Sequence, residues 1–198
     1  RGNGVYLYNP TYKTTKALLT GNFLYSNLSW NADKNALAFY EYKQAKEKVD
    51  YTGTKIVVLK GIDDESTESA EYPVKEMASL PDNMGPAVKS GGKSNKITWS
   101  KDGERLFIKI SKYDQGKEDE KKAEKEDEEE ATVQVWHWKD KKLLSERIMD
   151  HENNKNKVFD AIFFLNSNKV VQLTGEEIQQ LIFSAGTDNW AIGTDNRE

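Results

Sequence analysis

Hydrophobic and polar positions along this chain alternate with a period of two over short stretches, and one such stretch occurs twice. SNLSWNADKNALAFY at 26–40 returns as NKITWSKDGERLFIK at 95–109. Trp30 aligns with Trp99, Asp33 with Asp102 and Leu37 with Leu106, a spacing of 69 residues. Each copy predicts a two-stranded hairpin. Ile97 and Trp99 fall on one side of a strand, Thr98 and Ser100 on the other, because successive side chains alternate faces. Lys101-Asp102-Gly103 then supplies residues that tolerate the φ values of a tight reversal. Leu106 to Ile110 returns as an aromatic and β-branched run, the composition of a strand covered on both faces.

A third, weaker copy, QLIFSAGTDNWAIG at 180–193, places Phe183 where the tryptophan stood and aligns Trp190-Ala191-Ile192 with Leu106-Phe107-Ile108, at a spacing of 84. A second hairpin type also repeats. GVYLYNPTYKTTKALLTG (4–21) matches DAIFFLNSNKVVQLTG (160–175), and both close on Leu-Thr-Gly. Self-similarity at a fixed spacing predicts a repeat architecture, whose units cannot bury both faces alone. Two hairpins make a four-stranded antiparallel unit, so the expected fold is all-β: a β-propeller fragment of about three four-stranded antiparallel blades. The blade pieces are expected at about 4–21, 26–76, 95–174 and 179–194 in a single partial domain, 1–198. With both ends stopping inside a blade, the ring is incomplete and the intact protein is expected to be longer on both sides. The exposed blade faces would then allow self-association.

The element Ile97-Thr-Trp-Ser-Lys-Asp-Gly-Glu-Arg-Leu-Phe107 resembles the W-S-P-D-G-K-x-L-x-F repeat of TolB-like and prolyl-oligopeptidase-type propellers. The segment VQVWHWKDKKL (133–143) and the stretch FFLNSNKVVQLTGEE (163–177) are similar to the N-terminal propeller of bacterial serine peptidases of the prolyl oligopeptidase and dipeptidyl peptidase group. That resemblance implies a non-catalytic propeller restricting substrate access to a separate α/β-hydrolase domain of the same polypeptide, with peptides as substrates and a periplasmic or secreted location. A TolB-like propeller with no enzyme attached, binding a protein or a glycan, is the alternative.

Two segments depart from the repeat. KEDEKKAEKEDEEE (117–130) carries nine acidic and four basic residues, so the rest of the chain is about +1 against a total of −4. Subtracting its 14 residues brings the spacing of 84 to within one residue of 69, so it is expected to interrupt a blade without changing it. It reads as a solvated charged loop, with a cation site or gate as the alternative. In KLLSERIMDHENNKNK (142–157), Leu143, Leu144, Ile148 and Met149 recur roughly once per helical turn, which predicts a short helical insertion.

The catalytic inventory is negative. No G-x-S-x-G is present, and the two histidines, His137 and His151, lack a base's context. His137 lies between Trp136 and Trp138 in an alternating strand, and the adjacent side chains of Asp150-His151-Glu152 do not converge on a metal. Hence no catalytic, metal or cofactor residues are expected in this chain. The D-W-x-Y-E-E-E motif by which dipeptidyl-peptidase propellers hold a substrate's amino terminus is absent, and Glu176-Glu177 reads as a turn. Gly91-Gly92-Lys93-Ser94 lacks the first glycine of a P-loop and precedes a strand, so it reads as a loop between blades. A remainder close to neutral argues against nucleic acid as a partner, and no apolar run is long enough for a membrane span. The absence of cysteine excludes disulfides and thiolate metal sites. Trp30, Trp99, Trp136 and Trp190 are expected in the core between blades, leaving Trp138 at a strand end as the candidate for exposure.

Overall fold

The computed structural model describes residues 3–45, 48–64, 66–88, 95–112, 157–175, 177–183 and 190–195. The charged segment 117–130, nearly all of the expected helical insertion, and 133–143 with Trp136, His137 and Trp138 lie outside them. The described residues are all-β, with strands paired antiparallel, one isolated parallel bridge between Ala78 and Lys169, a 3₁₀ turn at Val74–Glu76 and no α-helix.

A first hairpin pairs β1 (Asn3–Asn9) with β2 (Thr14–Gly21). β3 (Leu24–Asn31), β4 (Ala36–Ala45), β5 (Lys48–Lys60) and β6 (Glu68–Pro73) then form one four-stranded meander, each strand pairing with the next. A second meander runs β8 (Thr98–Trp99), β9 (Arg105–Lys112), β10 (Val158–Phe164) and β11 (Lys169–Gln172). One edge of this sheet is made in two pieces: β8 covers one end of β9, and β7 (Met84–Pro86) covers the other. The last hairpin pairs β12 (Gln180–Phe183) with β13 (Ala191–Thr194).

The repeats are visible in the register. Trp30 stands opposite Leu37 and Trp99 opposite Leu106, so the two tryptophan hairpins pair identically. In the third copy Phe183 stands opposite Ala191, not the Trp190 of the sequence alignment, so that turn is one residue longer. The other hairpin type matches through a bulge. Val5 pairs with Leu19 and Tyr6 with Ala17, which leaves Leu18 as the extra residue. With that residue discounted, Lys13 and Asn168 become equivalent. Both close four-residue loops in the left-handed region, at φ 52° and 51°.

Successive residues Ala36 to Tyr42 of β4 are all buried, because both faces of this strand are covered. Leu37 and Phe39 meet Val5, Leu18 and Leu19 of the first hairpin. Ala38, Tyr40 and Tyr42 meet Leu106, Ile108, Ile110 and Phe163 of the second meander. The run expected to be covered on both faces, Leu106 to Ile110, instead alternates: Leu106, Ile108 and Ile110 are buried, while Phe107 and Lys109 are half-buried. Full burial of a large apolar side chain contributes roughly 1.5–3 kcal/mol, so the β4 run and the core opposite it are the principal cohesion between the sheets.

Polar anchors set the sheets' positions. The Lys16 ammonium donates to the Ile62 carbonyl (3.2 Å), the Thr67 hydroxyl (3.1 Å) and the Asp64 carbonyl, which ties the first hairpin to the loop between β5 and β6. On the other side, Ala78 bridges to the β10–β11 turn. Its amide donates to the Asn168 carbonyl, and the Val170 amide donates to the Ala78 carbonyl, both at 2.8 Å.

Candidate functional site: the tryptophan seam and the Trp30 face

The Trp-Ser-x-Asp-Gly element owes its composition to its turn. Ser100 Oγ accepts from the Arg105 amide and donates within the turn, while Asp102 accepts from the Glu104 amide (2.9 Å) and the Arg105 guanidinium (2.8 Å). Gly103 takes φ +77°. The Ser100 hydroxyl, the Glu104 amide and the Arg105 guanidinium hold the Asp102 carboxyl below its ordinary range against a smaller opposing effect of burial. In the first copy the left-handed residue is Asn35, at φ 48°, one position later than Gly103 in the alignment. Asn31 Oδ1 there accepts from the Lys34 amide.

This turn aims Trp99 at the neighbouring sheet. The Trp99 indole N–H donates to the Ser29 carbonyl at 2.9 Å, and its ring packs against the main core. Beside it, the Asn27 amide donates to the Asn95 carbonyl at 2.8 Å from a bulged, left-handed backbone at φ 55°, and Asn95 in turn donates to the Ala87 carbonyl at 2.9 Å. One sheet further on, the Phe183 ring lies 4.5 Å from the Phe107 ring, centroid to centroid. Trp99 and Phe183, the aromatics at this repeat position that follow a complete meander, thus both lean on the preceding sheet.

Trp30 is the third residue of this kind, and it has no such neighbour among the described residues. It is 61% exposed, with Leu28 on the same face also exposed, which corrects the expectation that Trp30 and Trp99 are both buried. Trp30 shares its face with Leu37, toward the first hairpin, but that hairpin covers Leu37 and leaves Trp30 open. Trp190, expected in the core, is 79% exposed. The pattern of alternation places an aromatic on a face; whether a neighbour covers that face is decided elsewhere in the chain.

A second polar feature escaped the sequence reading. The side chain of Glu41, on β4, is buried beside Lys55, whose ammonium lies 2.9 Å from Glu41 Oε1 at ion-pair distance but outside hydrogen-bond alignment. Lys55 also donates to Glu71 at 2.7 Å and lies near the Phe23 ring. Burial works to lower the Lys55 pKa, but the hydrogen bond to Glu71 and the nearby carboxylates of Glu41 and Glu71 outweigh it and raise it. Tyr25 OH is buried without a hydrogen-bond partner among the described residues; burial, then the Glu41 charge, raises its pKa. The signal was one charged residue inside the apolar run Leu37-Ala-Phe-Tyr-Glu-Tyr42.

His137, His151, Glu176 and Gly91 to Ser94 lie outside the described residues, and Glu177 is exposed. Among the described residues no group of three or more His, Asp or Glu side chains could hold a metal ion, and no helix is long and apolar enough to cross a membrane. Comparison of the chain with family models, with curated proteins and with solved structures finds no match.

Proposed function

We propose that this chain is part of a non-catalytic β-propeller of a serine peptidase of the prolyl oligopeptidase type, screening access to a separate α/β-hydrolase domain of the same polypeptide. The observation that carries the propeller reading is the Trp99 to Ser29 hydrogen bond, which joins β8 and β3, the first strands of consecutive antiparallel meanders. A stack held at its inner strands radiates as blades do. The peptidase reading rests on the resemblance of the Trp-Ser-Lys-Asp-Gly hairpin. In this role the sheets act sterically: a rigid ring narrows the route to the hydrolase site and favours short or flexible peptides. A periplasmic or secreted location belongs to the same reading.

Three exposed tyrosines, Tyr6 and Tyr8 on β1 and Tyr12 in the loop that follows it, favour a second reading, an interaction propeller without an enzyme that binds a protein or a glycan. A fluorophosphonate probe applied to the intact polypeptide separates the two. Labelling of one serine beyond residue 198, within a G-x-S-x-G, is the expected result. An unlabelled intact polypeptide would leave the interaction reading, and labelling within 1–198 would overturn both.

A further inference from the structure

The ammonium of Lys16 is held as a bound ion is held. An alkylammonium carries three N–H donors and no acceptor, and three oxygens of one loop meet it: the Ile62 carbonyl at 3.2 Å, the Thr67 hydroxyl at 3.1 Å and the Asp64 carbonyl. None of the three is charged. The lysine comes from β2 of the first hairpin, and the loop joins β5 to β6 in the next sheet, 46 to 51 residues away in sequence.

The loop is shaped by its own sheet, not by the lysine. The Gly61 amide donates to the Asn35 carbonyl at 2.9 Å, and the Asn35 side-chain amide donates to the Asp63 carboxylate, so the β3–β4 turn fastens the loop from behind. Inside the loop, the Gly61 carbonyl accepts from the Asp64 amide at 3.1 Å and from the Thr67 hydroxyl at 3.4 Å. With its proton spent on Gly61, the Thr67 oxygen is left to accept. Gly61 turns through φ +65°, where a Cβ would stand 2.9 Å from Asp64 Oδ2 and 3.2 Å from the Ser66 carbonyl oxygen. Converging carbonyl and hydroxyl oxygens of this kind replace the hydration shell of a cation. The exposed carboxylates of Asp63 and Asp64 on the same loop add negative charge, which favours a cation over a neutral or anionic guest.

We infer that the β5–β6 loop, residues 61–67, is a binding site for a monovalent cation of the ammonium type, and that the Lys16 side chain is its resident guest. The class comprises ammonium, primary alkylammonium ions and potassium, which carry one charge at similar radius and are satisfied by neutral oxygens. Calcium takes about six to eight oxygens, carboxylates among them. Here the Asp63 carboxylate is engaged by Asn35, and the oxygens around the guest are a hydroxyl and two carbonyls. Docking of the first hairpin on the second sheet is thereby the capture of a tethered cation, favoured by its high effective concentration. The site consists of one loop and one side chain, and it is independent of a propeller or a hydrolase domain.

Lys16→Ala removes the guest and opens the loop to solvent, since Lys16 is only half-buried. The test compares the urea midpoint of this variant of the 198-residue chain in ammonium, potassium and tetramethylammonium chloride at one ionic strength. The midpoint should fall in tetramethylammonium, which has no N–H and is too large, and at least about half of the loss should return in ammonium or potassium along a saturating curve. The unaltered chain should show no such preference. Adding Thr67→Val to Lys16→Ala should weaken the apparent ammonium affinity by about tenfold, the worth of one hydrogen bond to a charged group.

The unaltered chain gives a second, independent measurement that does not require the variant to fold. In 15N NMR of the lysine ammonium groups, the Lys16 protons should exchange with water more slowly than those of the exposed Lys13, and Thr67→Val should speed them. Exchange of Lys16 as fast as that of Lys13 would overturn the site. So would equal midpoints of Lys16→Ala in all three salts, or a midpoint restored by calcium alone, which would assign the loop to its carboxylates.

Discussion

The indole N–H of Trp99 donates to the backbone carbonyl of Ser29 at 2.9 Å, joining two copies of the same hairpin, while the equivalent Trp30 stands in the open. Two tryptophans in one motif therefore carry different energies. In dilute protein, Trp99→Ala should destabilise by on the order of 3 kcal/mol, through lost packing and an unsatisfied carbonyl. Trp30→Ala should stay within about 0.5 kcal/mol, as for other exposed positions. Urea denaturation of both variants measures the contrast; equal losses would mean that Trp30 is buried within the monomer.

The ion pair beneath the first hairpin predicts an asymmetry between single and double changes. Lys55→Met leaves the Glu41 carboxylate buried without its counter-charge, which typically costs about 3–5 kcal/mol. Glu41→Leu together with Lys55→Met removes the stranded charge, so thermal melting should show the double variant to be more stable than Lys55→Met alone. A double variant as unstable as the single one would show that packing, not charge, dominates this position.

Asp102 links the tryptophan hairpin to pH. Its folded pKa lies below the ordinary value of 3.8, so the unfolded chain takes up this proton first as pH falls. The contribution is fully present above pH 3.8, declines as pH drops from there through the folded value, and is absent below both. Asp102→Asn should flatten that part of the urea-midpoint profile while leaving the midpoint's slope above pH 5 unchanged. An unaltered acid limb in the variant would assign the pH dependence to other carboxylates.

The long connection between β9 and β10 is free in length. Val158 pairs directly with Ser111, so the strand ends it joins already lie side by side, whatever the number of residues between. Deleting 117–130 and joining Gly116 to Ala131 should shift Tm by no more than a few degrees, less than roughly 1 kcal/mol for a domain of this size. Unfolding of the shortened chain, or strong stabilisation by calcium of the full-length chain alone, would show that the carboxylates form a site.

Both hairpin types were legible in the sequence because strand alternation and turn chemistry act over a few residues: Trp99-Ser-Lys-Asp-Gly103 encodes its own reversal, and Asn9 caps its loop by accepting from the Thr11 and Tyr12 amides. The Leu18 bulge, the longer third turn and the buried Glu41 were not. Each depends on which strand lies opposite or above, and period-two alternation says nothing about the neighbour.

By itself, then, the sequence determined the all-β class and the hairpin repeats around Trp30 and Trp99, since these follow from local steric and solvation preferences. Only the tertiary structure decided which aromatic is covered. Burial belongs to the sheet across the interface, so two identical Trp-x-x-Asp hairpins can place one indole against a carbonyl and leave the other at the surface.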